Sequence, residues 1–148
     1  MNIDIKEFES LCIDIPSSIS LLSNASAYLN ERIEDINWVG FYLLQNNELV
    51  LGPFQGKVAC TKIAIGKGVC GTAVKEKNII NVNDVHTFKG HIACDSRTNS
   101  EIVLPLIYND KCYGVLDIDS LSFNRFSKND EEILQKIADI ISKNLSLL

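Results

Sequence analysis

Glu101-Ile102-Val103-Leu104-Pro105-Leu106-Ile107-Tyr108, then Asn109-Asp110-Lys111, then Tyr113-Gly114-Val115-Leu116-Asp117-Ile118-Asp119-Ser120: this stretch decides the fold. Two β-branched, apolar runs flank an Asn-Asp turn, which is a strong hairpin signal and makes the pairing antiparallel. Side chains alternate along a strand, so Asp117 and Asp119 point to the same face. Two acids on one face repel each other and raise one pKa, which suits a proton donor or a site for a cation; a solvated face is the alternative. Glu101, at the start of the partner strand, can bring a third acid to the same end.

Upstream the same logic repeats. Trp38 to Leu44 and Leu49 to Phe54 are aromatic and β-branched runs joined by Gln45-Asn46-Asn47-Glu48, a second hairpin. Cys60 to Ile65 reads as a short strand, Gly66-Lys67-Gly68 as a turn, Val69 to Lys77 as a short helix and Asn78 to Val82 as another strand. Residues 83–99 hold polar residues with scattered apolar ones and form a long loop, a length that in a compact domain tends to be functional.

Helices flank these strands. Ile5, Phe8, Leu11 and Cys12 recur at helical spacing until Pro16. Between Ser17 and Ile36 the positions Ile19, Leu22, Ala25, Ser26, Leu29, Ile33 and Ile36 predict a second helix with one buried face, capped by Ser17 or Ser18. Ser127-Lys128-Asn129-Asp130 resembles a capping box and opens a C-terminal amphipathic helix through Ile133, Ile137, Ile140 and Ile141. The expected fold is α+β: about six strands in a mainly antiparallel sheet, with N- and C-terminal helices packed on it, in one domain over 1–148.

A net charge of −5 argues against a nucleic-acid surface, which would show clustered Lys and Arg. Met1 to Glu7 lacks a basic segment followed by an apolar core, and no run of eighteen apolar residues follows, so the expectation is a cytoplasmic protein without a membrane anchor. Five cysteines at scattered spacings do not describe a disulfide framework, and free thiols are the default.

Gly90-His91-Ile92-Ala93-Cys94-Asp95 places a cysteine among small residues, near His86 and His91 and several carboxylates, which marks a reactive thiol. Cys60, Cys70 and Cys94 all sit on or beside predicted loops, whereas Cys12 and Cys112 read as small core residues. Metal binding by these cysteines and histidines is disfavoured, because no Cys-x-x-Cys pair occurs and His91-x-x-Cys94 alone is a weak signal. Both histidines read as ordinary loop residues. Trp38, with Tyr42 four residues on, is either a core aromatic or the wall of a pocket for a small apolar group.

Six segments in order, Trp38-Val39-Gly40-Phe41-Tyr42, Gly56 to Cys60, Gly66 to Gly71, Gly90 to Asp95, Ser100 to Pro105 and Leu116 to Ser120, are similar to the free methionine-(R)-sulfoxide reductases, which are GAF-domain enzymes. The resemblance covers nearly the whole chain and includes the intervals between three cysteines. It implies that Cys94 is the nucleophile that becomes a sulfenic acid. Cys60 would be the main resolving cysteine, with Cys70 close by, and thioredoxin the reductant. It implies further that Glu101, Asp117 and Asp119 bind the substrate ammonium and supply the proton, and that Trp38 packs against the methyl group with Tyr42 beside it. No cofactor is implied, and a homodimer through the terminal helices is compatible with the family. Arg97 is a departure from the small polar residues expected in that loop; it could lower the thiolate pKa or point to solvent. The alternative function is a non-catalytic GAF sensor of a small molecule. The three cysteines and the lack of an attached output domain weigh against it.

Overall fold

The computed structural model describes residues 1–148. Strands β1 (Trp38–Gln45), β2 (Glu48–Gly56), β3 (Lys62–Ala64), β4 (Ile80–Val82), β5 (Ser100–Tyr108) and β6 (Lys111–Ser120) form one antiparallel sheet in the order β3-β2-β1-β6-β5-β4. The two hairpins that the sequence predicts are the centre of this sheet. Both turns have two central residues at positive φ, Asn46 and Asn47 in one and Asn109 and Asp110 in the other, as two-residue hairpin turns require.

The register of the β5–β6 hairpin depends on an irregularity. Next to the turn Tyr108 faces Lys111 and Ile107 faces Cys112, but beyond a bulge Leu106 faces Gly114 and Glu101 faces Asp119. Gly114 sits there at φ +147°, where a side chain would collide with the backbone of Tyr42 and Leu43 on β1. An unbulged hairpin would set Glu101 opposite Ile118 and on the wrong face for the acids. The extra residue is what gathers the three carboxyls.

Each face of the sheet carries its own core. On one face α1 (Ile5–Leu11), α2 (Ser18–Arg32) and α4 (Lys128–Leu145) cover Val39, Phe41, Ile102, Leu104, Leu116 and Ile118, all fully buried. On the other, α3 (Gly68–Glu76) covers only part of the surface, packing with Tyr42, Leu49, Val103 and Val115. The remainder of that face is left to loops and to the pocket. The α+β expectation holds. No helix is long and apolar enough to cross a membrane.

Several boundaries differ from expectation. Helix α2 stops at Arg32 because Ile33 turns to extended backbone, so Ile36 lies outside it, and Ile19, in its first turn, is 71% exposed. The buried stripe begins instead at Leu21 and Leu22. Strands β3 and β4 are shorter than read, which leaves Cys60 in the connection from β2. The long loop contains one 3-10 turn, Val85–Thr87, tied down by the burial of Val85. Ser127 and Asp130 form the expected capping box at the start of α4.

Candidate active site

The floor of the pocket is a row of side chains across adjacent strands. Val82 on β4 faces Glu101 on β5, Glu101 faces Asp119 on β6, and Asp119 faces Trp38 on β1. One step along the strands lies Asp117, opposite Gly40. Glu101 and Asp117 are buried, and one oxygen each of Asp117 and Asp119 is buried without a hydrogen-bond partner. Burial, followed by repulsion between the carboxyls, pushes all three well above the ordinary carboxyl range. Burial and mutual repulsion thus favour the neutral, protonated form of these carboxyls, and a cation entering the cluster would favour ionisation.

Cys70 stands over this floor. The sequence places it beside a loop, but it lies in the first turn of α3 and belongs to the second core, 4% exposed. Its thiol is pushed far up by burial and by the nearby Asp117 carboxyl, so it is a poor nucleophile as it stands. Its sulfur and one oxygen each of Glu101 and Asp117 lie within 4.8 Å of one another, the one group of side chains here that could hold a metal ion. Neither histidine belongs to that group.

Trp38 forms one wall. Its ring stacks on Phe54, with centroids 5.2 Å apart, and on Tyr42 at 5.9 Å, while its indole N–H donates to the Lys57 carbonyl at 3.1 Å. It is both a core aromatic and a lining residue. Gly40 makes this possible: a Cβ there would stand 2.8 Å from the Trp38 ring and would collide with Phe54. The Tyr42 hydroxyl donates to the Cys60 carbonyl at 2.9 Å, and burial, then neighbouring acids, keeps it un-ionised.

A disulfide joins Cys60 to Cys94, whose Cα atoms are 5.8 Å apart, and Cys94 lines the pocket. Cys94 is exposed and Cys60 half-buried. The other three cysteines are free; burial pushes Cys12 up to about 12 and also raises Cys112. Beneath the disulfide a cavity of about 40 Å³ remains, room for a few waters and not for an amino acid.

Two residues, His91 and Asn37, were not singled out by sequence reading as parts of the site. His91 Nε2 is 3.5 Å from Glu101 Oε1, and burial lowers its pKa, so the imidazole caps the acid cluster as a neutral group. Its spacing from Cys94 was its only sequence signal. Asn37, just before β1, donates through Nδ2 to Asp95 Oδ2 at 3.2 Å and to Thr98 Oγ1 at 3.1 Å, pinning the loop on both sides of Arg97. Nothing in its sequence context marks it. Arg97 makes a two-pronged contact with Asp95, at 3.2 and 2.9 Å, and holds that carboxyl far below the ordinary range. The guanidinium is thus spent on Asp95, and its field at Cys94 is largely cancelled. His86, by contrast, bonds Asn99 at 2.9 Å, outside the pocket.

The chain is similar to known proteins over nearly its whole length. A family model described as GAF domain matches residues 19–145. The chain is 51% identical to the free methionine-R-sulfoxide reductase of Escherichia coli over 141 residues, which is 95% of this chain and 86% of the relative. Among solved structures, the fRMsr of Staphylococcus aureus in complex with substrate superposes with a TM-score of 0.90 at 56% identity, covering 95% of this chain and 92% of that one. The free methionine-R-sulfoxide reductase of Neisseria meningitidis, also in complex with its substrate, gives a TM-score of 0.92 at 41% identity, covering 96% and 86%.

Proposed function

The chain belongs to the GAF domain family and, within it, to the free methionine-R-sulfoxide reductases, and from that premise we propose how its own residues reduce free L-methionine-(R)-sulfoxide in the cytoplasm, as one catalytic unit over 1–148. The Cys94 thiolate attacks the substrate sulfur while a carboxylic acid of the floor, Asp119 or Glu101, protonates the oxygen. The hydroxyl then passes from the substrate sulfur to the Cys94 sulfur as the S–O bond and the transient Cys94–substrate S–S bond both break, so methionine leaves and Cys94 carries the oxygen as a sulfenic acid. The Cys60 thiol then attacks that sulfur and expels water, forming the disulfide. Thioredoxin returns two electrons and two protons, restoring both thiols.

The observation that supports this reading is a joined cysteine pair whose Cys94 lines the same pocket as three buried, partly unpartnered acids. Raised carboxyl pKa values supply a proton donor at neutral pH, which an exposed acid cannot do. Trp38, with Tyr42 beside it, offers an apolar wall for the methyl group. Tyr42 also fixes the backbone of Cys60, which keeps the resolving thiol at the mouth. Cys70, buried and of raised pKa, is expected to stay reduced throughout.

Two measurements test the scheme. Reduced protein treated with one equivalent of substrate and then mapped by peptide mass should contain Cys60 joined to Cys94, with Cys70 free; a Cys70–Cys94 link, or no oxidised thiol at all, contradicts it. NADPH consumption coupled through thioredoxin should require methionine sulfoxide. A second variant probes the wall. Trp38→Leu removes the aromatic wall, and the KM is expected to rise about tenfold, the scale of one lost aromatic contact; an unchanged KM would remove Trp38 from the binding site.

A further inference from the structure

Charge is divided unevenly along this chain, and the division follows the mouth of the pocket. From Leu49 to Lys75 there is no Asp or Glu, yet Lys57, Lys62, Lys67 and Lys75 fall there. From Val85 to Ser100, Lys89 and Arg97 stand against Asp95 alone. These two stretches carry six of the 14 cations and one of the 19 acids of a protein whose net charge is −5. They are also the two stretches that the Cys60–Cys94 bond joins.

The cations are available. Arg97 is taken up by Asp95 at 2.9 Å, but none of the five lysines has an ion-pair partner, and all five are exposed. Lys57 directly precedes the pocket-lining Val58, and its carbonyl accepts from the Trp38 indole. Lys67 adjoins Gly68, against which Ile92 lies so closely that a Cβ would be 3.0 Å from it, and the Lys75 side chain rests against Gly66. At the centre are two apolar side chains in solvent, Val58, 89% exposed and two residues before Cys60, and Ile92, 39% exposed and two residues before Cys94. An apolar centre with a charged rim is the anatomy of a protein–protein contact.

We infer that this face docks the protein dithiol that reduces the Cys60–Cys94 bond, and that the partner presents an acidic surface around its attacking cysteine. The inference rests on the recycling step proposed above. Free methionine sulfoxide is a zwitterion of no net charge and gains little from a basic rim, whereas an acidic protein is steered to it through the repulsion of the rest of the chain. Of the two cysteines the more exposed is Cys94. The partner thiolate attacks it, Cys60 leaves as a thiolate, and a mixed disulfide forms. The partner's second thiol then attacks its own bonded sulfur and frees Cys94, so the partner ends as a disulfide and this chain gains two electrons. Unpaired lysines nearby favour each departing thiolate.

Rapid-mixing measurement of the oxidised full chain against thioredoxin, with dithiothreitol as the uncharged control, tests this. Raising ionic strength from about 0.02 to about 0.5 M should lower the second-order rate constant with thioredoxin about tenfold and change that with dithiothreitol less than about twofold. The triple variant Lys57→Glu, Lys67→Glu, Lys89→Glu should lose about tenfold with thioredoxin at low salt and flatten the salt dependence, while its dithiothreitol rate, which also reports that it is folded, stays the same. A thioredoxin rate indifferent to both salt and charge reversal overturns the docking surface alone. No reduction by thioredoxin at any salt, with dithiothreitol still effective, overturns the recycling step and the docking surface together.

Discussion

Cys94→Ser is expected to lose at least about 10³-fold in turnover of free methionine-(R)-sulfoxide, because a hydroxyl is a far weaker nucleophile than a thiolate and no second thiol can take its place. Each remaining cysteine has a physical reason to fail. Cys70 lines the pocket from the first turn of α3 but is buried, with its thiol pushed up by burial and by acids; Cys12 is 2% exposed and raised to about 12; Cys112 lies on β6 outside the pocket. Cys60 is the exception in reach, but its carbonyl is held by Tyr42 at 2.9 Å, and its proposed part begins only once a sulfenic acid exists. Cys60→Ser should therefore release one equivalent of methionine per chain and then stall, a burst that Cys94→Ser lacks. Cys12→Ser and Cys112→Ser should keep turnover within about twofold, as changes remote from the reacting atoms do. Multiple turnovers by Cys94→Ser would transfer the nucleophile elsewhere and undo the scheme.

The sequence made some of this site legible and hid the rest for identifiable reasons. Period-two alternation was enough to place Asp117 and Asp119 on one face, since that depends only on strand geometry. Bringing Glu101 to the same face depends on the bulge that moves its partner from Ile118 to Asp119, and a bulge is set by how Gly114 meets the β1 backbone, a contact between distant segments. The hairpins were readable because their turns need positive φ and Asn tolerates it. Ile19 had the right spacing for a buried face, but spacing does not tell where the stripe meets the sheet, and it stays in solvent. The pairing of Cys60 with Cys94 came from resemblance, since cysteines 34 apart in sequence carry no local signal. His91 and Asn37 act through contacts with Glu101 and with the active loop that no periodicity encodes.

N-acetylmethionine sulfoxide is expected to be a poor substrate, with kcat/KM lower by about 10²-fold or more than for the free amino acid, because removing a cation from a desolvated acid site leaves buried groups uncompensated. The floor of the pocket explains the choice. Three carboxyls press together with their pKa values raised, and an entering ammonium lets one ionise and gives the unpartnered oxygens of Asp117 and Asp119 a donor. A peptide-bound methionine brings no such charge. The same argument fixes a stability effect. These groups have folded-state pKa values above their unfolded ones, so their contribution is fully present below the unfolded pKa and is lost as pH rises through the folded pKa. Asp117→Asn, which cannot ionise, should thus melt at a higher temperature than the parent under mildly alkaline conditions, with a gain on the order of 1 kcal/mol that shrinks toward acid pH. Its activity should fall, as should that of Asp119→Asn and Glu101→Gln, far more than that of Asp130→Asn, whose carboxyl serves Arg125 and the α4 cap. The S epimer should be reduced poorly, since with its methyl against Trp38 the oxygen points away from the acids. Equal rates for the acetylated and free sulfoxides would show that the three acids do not read the ammonium, even with Cys94 confirmed as the nucleophile.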